Sequence, residues 1–219
     1  MKILDCFCGL GGASEGFHSE GFECIGIDIV NVGYPYKFIL GDMLKLKGED
    51  FRGYDVIWGS PPCRDFSQMA HVGYGSKRDD CKGKWAWKNP PNPQKGLELV
   101  KAYLVFVEDA KPKIWIMENV PGLIKYLPYI PPRQISKITE TKKRAFWGNY
   151  PDFLMPTEKA LNVAKSVKGR VYCVQGKYRS WQRAKIPFSC SQAFAKACKE
   201  SLTDYTMMAG GTMPKRGAR

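Results

Sequence analysis

The chain has 219 residues, 44% of them hydrophobic, with a formal net charge of +13 and a pI near 9.4. That length holds one large domain, or one domain with a small appendage, and no apolar run approaches the roughly 18 residues of a membrane span. The N-terminus opens into a strand-like segment rather than a signal peptide, which points to a cytoplasmic protein, and so large a positive charge favours a polyanionic partner, nucleic acid above all, over a merely basic enzyme.

Lys2-Ile3-Leu4-Asp5-Cys6-Phe7 reads as a short buried strand, broken by Cys8-Gly9-Leu10-Gly11-Gly12. A helix is predicted over Ala13–Glu20, a second strand over Phe22–Asp28, a third over Lys37–Leu40 and a fourth over Tyr54–Trp58. Met69–Pro93 is polar, basic and rich in Gly, Trp and Lys without period, a long loop of the kind that is functional or disordered. Leu97, Val100, Leu104 and Val107 form a helical stripe within Gln94–Ala110, and Lys113–Met117 is a fifth strand. Strands alternating with helices predict a doubly wound α/β sheet. Beyond Pro121 the pattern weakens. Phe146-Trp147-Gly148-Asn149 reads as a strand end, Arg170–Val174 as a short strand, and Pro187–Leu202 as a helix with Pro at its start. The boundaries expected are a core domain over 1–150, a short segment over 151–185, a returning helix over 186–208 and a disordered basic tail over 209–219.

Eight cysteines form no C-x-x-C pair, and His18 and His71 are the chain's two histidines, so a metal site is not expected and the thiols read as free in a reducing compartment. Cys6, Cys24 and Cys198 lie among apolar neighbours and read as core residues. Cys63 is different. It follows Pro61-Pro62 at the end of the apolar run Val56-Ile57-Trp58, and the two prolines make a stiff turn that holds the next side chain at the sheet rim. A thiol there is a candidate nucleophile, though neither histidine sits in a motif that would activate it. Cys8-Gly9-Leu10-Gly11-Gly12 stands between strand and helix, with Asp28 about 20 residues on, a spacing suited to an acid on the ribose of a nucleotide-like cofactor. A tight turn without ligand is the plainer reading of the glycines, and a turn or cap residue the plainer reading of Asp42. Glu118 ends the fifth strand, at the sheet edge where ligands of open α/β sheets bind. A carboxyl buried there can act as a proton donor, or be a structural hydrogen-bonded acid.

Three blocks together, Asp5-Cys6-Phe7-Cys8-Gly9-Leu10-Gly11-Gly12, Gly59-Ser60-Pro61-Pro62-Cys63 and Glu118-Asn119-Val120, resemble the cytosine-C5 DNA methyltransferases in order and approximate spacing. The likeness runs from Met1 to about Gly122 and continues weakly through Thr141-Lys142-Lys143-Arg144. It implies a Rossmann-like sheet with helices on both faces and S-adenosyl-L-methionine as methyl donor, leaving S-adenosyl-L-homocysteine. Phe7, Cys8, Gly9, Gly11, Gly12, Asp28, Ile29, Asp42, Met43 and Pro61 would line the donor's site, Asp28 on the ribose and Asp42 on the adenine. Cys63 would add to C6 of a cytosine flipped out of DNA, Glu118 would protonate N3 with help from Asn119, and Arg144 would stand near the base. The loop from Gln68 to Pro93 would close over the base, with Gly73, Gly75 and Gly83 as hinges. Arg64, Ser67, Lys77, Arg78, Lys82, Lys84 and Lys88 would contact the nucleic acid, and Trp85 and Trp87 would stack on bases.

Two features depart from that pattern. Arg64 stands where the family usually has Gln, and Pro151–Lys185 leaves a target-recognition region far smaller than usual, which implies relaxed specificity or help from a protein partner. The family's late Gly-Asn motif is not evident, with Ser189–Cys198 its nearest remnant. RNA is the alternative substrate, a non-catalytic nucleic-acid-binding relative is a second alternative, and a Rossmann oxidoreductase suits these acid and thiol positions poorly.

Overall fold

The computed structural model describes residues 1–67, 91–140, 142–157 and 179–210. Its strands are β1 (Lys2–Cys6), β2 (Glu23–Asp28), β3 (Lys37–Leu40), β4 (Val56–Gly59), β5 (Ile114–Asn119), β6 (Gln134–Thr139) and β7 (Lys142–Gly148). They form one sheet in the order β3-β2-β1-β4-β5-β7-β6. The first five are parallel, and β7 lies antiparallel between β5 and β6. β1, β2, β4 and β5 are almost wholly buried, as expected of parallel strands covered on both faces.

Helices α1 (Gly12–Ser19) and α4 (Phe188–Gly210) cover one face, and α2 (Pro93–Ala110) covers the other. On the first face Phe17, Trp58, Phe146 and Phe194 interlock, with ring centroids 5.0 Å apart for both Trp58–Phe194 and Phe146–Phe194. Offset and edge-on pairs of this kind add about 0.5–1.5 kcal/mol each beyond their buried area. On the second face Val100, Tyr103 and Phe106 of α2 pack on Ile57, Met117 and Trp147. Gly59 is needed there because a Cβ would lie 2.2 Å from the Tyr103 ring, whose hydroxyl donates to the Ile116 carbonyl at 2.8 Å.

The doubly wound α/β architecture is as expected, and five predicted strands and the first two predicted helices match within a few residues. β6 is an addition, and the helix predicted over Pro187–Leu202 runs on to Gly210, so the expected tail from Ala209 starts inside it. The helix-favouring Met207-Met208-Ala209 carries the turn forward until the glycines. The strand predicted over Arg170–Val174 lies outside the described residues, as does 211–219. No described helix is long and apolar enough to cross a membrane.

The chain winds from β1 outward through β2 and β3, then restarts on the other side with β4 and β5. The strand order therefore reverses between β1 and β4, and the crevice outside their carboxyl ends is where such sheets hold ligands. Cys6, Gly59 and Met117 stand in register along that edge.

Candidate active site

Ser60 continues β4 for one more bond, its N–H donating to the Cys6 carbonyl at 3.1 Å. Pro61 is then buried, Pro62 exposed and Cys63 half-buried at the mouth of a 3₁₀ turn, Arg64–Phe66. The turn is anchored at both ends. Phe66 sits in the core, and a Cβ on Gly122 would lie 2.0 Å from its carbonyl oxygen, so the segment after β5 passes hard against it. Asn119, fully buried, donates its side-chain N–H to the Pro61 carbonyl at 3.0 Å, while its Oδ1 accepts from the Val120 N–H at 2.9 Å. Expected as a helper of Glu118, it has both ends of its amide on backbone, and it ties the tip of β5 to the cysteine turn.

Glu118 is buried one residue earlier, opposite Phe146 of β7, and the guanidinium of Arg144, two residues from Phe146, makes an ion pair with its carboxylate. The Ser60 hydroxyl also reaches this carboxylate, and the Trp58 indole N–H holds Ser60 at 2.8 Å. Burial pushes the Glu118 carboxyl above the usual range and outweighs the opposing pull of Arg144 and of Lys142. The Cys63 thiol is also raised, first by burial and then by the Glu118 charge, with Arg144 and Lys142 pulling it back. The free site thus favours a neutral thiol beside a carboxyl that keeps its proton more readily than an exposed one.

Before Cys63 in sequence, and at the same edge, the chain turns sharply after β1. Phe7, Gly9 and Gly11 all have positive φ (60°, 50° and 75°), and for Phe7 this is a conformation that side chains other than glycine rarely adopt. Cys8, buried, donates its N–H to Ile27 at 3.1 Å. Asp28, buried at the end of β2, accepts from the Gly9 N–H at 3.1 Å and the Ile29 N–H at 2.8 Å. Burial nevertheless raises its carboxyl. Met43 is buried in the core, whereas Asp42 caps its own turn through the Leu44 N–H at 3.1 Å. Beneath the loop the Ser14 hydroxyl donates to Asp5 and meets the Tyr34 hydroxyl, each at 2.6 Å, and burial pushes the Asp5 carboxyl up to about 7.

The apolar side chains exposed around Asp28 and Asp42 include Ile29 (68%), Leu40 (71%) and Leu44 (54%). Leu40 is the register partner of Asp28. Acids for hydroxyl and amino groups, flanked by apolar side chains left open, suit an adenosine, so the residues fit the cofactor that the sequence implies. Leu40 was missed because alternation in a short edge strand gives no hint of a ligand face, and Leu44 because it lies in the turn beyond that strand.

The glycines carry a second partner. A Cβ on Gly9 would lie 2.9 Å from the Trp181 ring, one on Gly12 would lie 2.7 Å from the Ile186 N, and one on Gly16 would lie 2.2 Å from the backbone at Ser191–Gln192. Lys185 also pairs with Glu15. Helix α3 (Arg179–Ala184) and the start of α4 therefore lie directly on the glycine loop and α1. Arg64 is half-exposed near Asp65 at 3.9 Å, and Ser67 closes the 3₁₀ turn. Lys77, Arg78, Lys82, Lys84, Trp85, Trp87 and Lys88 lie outside the described residues.

The sequence profile of the family described as C-5 cytosine-specific DNA methylase matches residues 1–141, the stretch that carries every one of these groups except Arg144 and the C-terminal clamp. The chain belongs to that family. Among curated relatives, the type II methyltransferase M.AgeI of Thalassovita gelatinovora is 30% identical over 57% of this chain and 29% of its own length. M.NgoFVII of Neisseria gonorrhoeae is 30% identical over 56% and 31%. The probable DNA (cytosine-5)-methyltransferase of Frog virus 3 is 30% identical over 54% of this chain and 53% of its own length. The chain thus aligns with about a third to a half of these relatives' lengths.

Proposed function

We propose that this chain transfers a methyl group from S-adenosylmethionine to C5 of a cytosine in DNA, through a covalent adduct of Cys63. The observation that supports this most directly is the meeting of a half-buried thiol with the buried Glu118–Arg144 pair at the same sheet edge as the glycine loop and Asp28. When bound, the cofactor supplies an electrophilic methyl group. Asp28 would hold its ribose, the exposed Ile29, Leu40 and Leu44 its adenine, and the loop from Phe7 to Gly12 its remaining length.

C5 of cytosine is a poor nucleophile. Cys63, after losing its proton, adds through sulfur to C6, which breaks the aromatic ring and moves electron density toward C5. Glu118, whose carboxyl burial biases toward its protonated form, gives its proton to N3 and stabilises that density. Arg144 then faces a carboxylate and holds its charge in place. After C5 takes the methyl group, a water would accept the C5 proton, the electron pair left behind re-forms the C5–C6 double bond as the C6–sulfur bond breaks, Cys63 leaves as thiolate, and N3 returns its proton to Glu118. Asn119 fixes the turn so that sulfur and carboxyl keep their separation through the cycle. The base must leave the duplex first, because a stacked ring exposes neither face. Residues 1–150 would carry this chemistry and the part of 151–185 that precedes α3 a short recognition segment, with the basic and aromatic residues between Lys77 and Lys88 meeting the strand.

The test is incubation with S-adenosylmethionine and duplex DNA carrying 5-fluorocytosine, which has no C5 proton to lose. A covalent complex that vanishes in Cys63→Ser is expected. A complex with RNA and none with DNA would move the substrate to RNA, and none with either would make the chain a binding relative.

A further inference from the structure

β6 and β7 form an antiparallel ribbon whose register sets Lys137 directly opposite Lys143. Residues opposed in this way share a face with Cβ atoms about 4.5–5.5 Å apart, and like charges there repel. Both side chains are exposed, and no carboxylate of a described residue makes an ion pair with either. Their backbones are held: the Lys137 carbonyl accepts from the Thr157 hydroxyl at 2.9 Å, and the Lys143 carbonyl from the Arg144 guanidinium at 3.0 Å. A lysine on the edge strand β6 guards against unwanted strand pairing. That reason does not reach Lys143, which lies on the interior strand β7. Lys143 is also the immediate neighbour of Arg144, the partner of Glu118, so its backbone stands one residue, about 3.3 Å of strand, from that of Arg144.

Resting on the reading of a DNA substrate, we propose that Lys137 and Lys143 bind the phosphodiester backbone of the target strand beside the base that reaches Cys63. A phosphate oxygen between two opposed ammonium groups turns their repulsion into two attractions, and it fixes the strand's position without reading its sequence. Arg144 and Phe146 point to the face opposite Lys143, so one strand of the sheet divides the work: one face steadies the carboxyl, the other the backbone.

The test is the salt dependence of affinity for a duplex of about 20 base pairs, at the scale of contacts whose slope counts phosphates. In Lys137→Gln/Lys143→Gln the log–log slope is expected to fall by about 1 per lysine removed, and affinity to weaken equally for unrelated sequences. The free double variant should melt no lower than the parent, since a repulsion has been relieved. A control, Lys101→Gln/Lys111→Gln, removes two exposed lysines from α2 and its C-cap, away from this ribbon. A slope in the 137/143 variant equal to that of the control overturns the phosphate site. A parent protein that forms no 5-fluorocytosine adduct overturns the methyltransfer reading instead, and the two failures are told apart because the salt slope is read without turnover.

Discussion

Arg144 reaches across from β7 to the carboxylate of Glu118 at the end of β5, and both side chains are buried. Because β7 runs antiparallel to β5, the start of one strand meets the finish of the other, so a cation from late in the chain lands on the carboxyl edge of a parallel sheet. Removing one partner of such a pair is far more damaging than the pair is stabilising. In Arg144→Gln the protein should lose about 3–5 kcal/mol at neutral pH. The deficit should shrink in acid. Burial already raises the Glu118 carboxyl, and losing the guanidinium raises it further, so the folded state holds a proton that the unfolded chain releases. Stability then falls as pH rises above the unfolded value of 4.5 and recovers below it. Urea unfolding at pH 5 and pH 8 checks this, and an equal deficit at both would refute it.

Cys63 is half-buried, while Cys6, Cys8, Cys24, Cys190 and Cys198 are buried. Iodoacetamide should therefore reach Cys63 before these five, and slowly at pH 7.5, since burial and the Glu118 charge hold the thiol above its ordinary 9.0. The rate should still be climbing at pH 9, and Arg144→Gln should push the curve further to alkaline pH. Peptide mass mapping reads the site, and a plateau below pH 9 would count against the assigned environment.

Asn119→Ala removes the tie between β5 and the Pro61 carbonyl and leaves that carbonyl short of a partner. Its stability cost should be about 1–3 kcal/mol. Adduct formation should drop by about 10²-fold, as expected when a reacting atom shifts by an ångström, with DNA affinity little changed. A loss of affinity in step with adduct formation would show that the residue serves binding instead.

Gly16→Ala is a helix-interior change that would ordinarily stabilise by about 1 kcal/mol. Here the new Cβ would lie 2.2 Å from backbone atoms at Ser191–Gln192, which cannot step aside as a flexible side chain does. The expected outcome is a destabilisation of about 1–3 kcal/mol, measured by thermal unfolding. Gly21→Ala, where a Cβ meets no neighbour but φ is +87°, separates steric clash from backbone strain.

The alternation of strands and helices was legible because buried parallel strands and amphipathic helices write strong patterns, and Cys63 and Glu118 stood out because each follows an apolar run. Contacts across long stretches of chain were not. The glycines after β1 read as room for a ligand, yet Gly9 and Gly12 also make room for Trp181, Lys185 and Ile186, and the Lys185–Glu15 pair spans 170 residues. The partner of Asn119 lies 58 residues away, and no local pattern names it. β6 went unread because it is an edge strand whose Ile135 faces solvent and whose polar residues give only half an alternation.

The Asn92 N–H donates to the Asp65 carboxylate at 3.0 Å, and Gly96 lets the Phe66 ring approach the first turn of α2. The chain therefore leaves the cysteine turn and returns to it at one point. Asp65 and Asn92 are thus held together by the described residues themselves, and no pairing among the described strands depends on the number of residues between them. Doubling the stretch between them adds only about 0.6 kcal/mol of closure entropy. The chain is thus able to change the length and composition of that stretch while Cys63 and Glu118 stay where the sheet holds them.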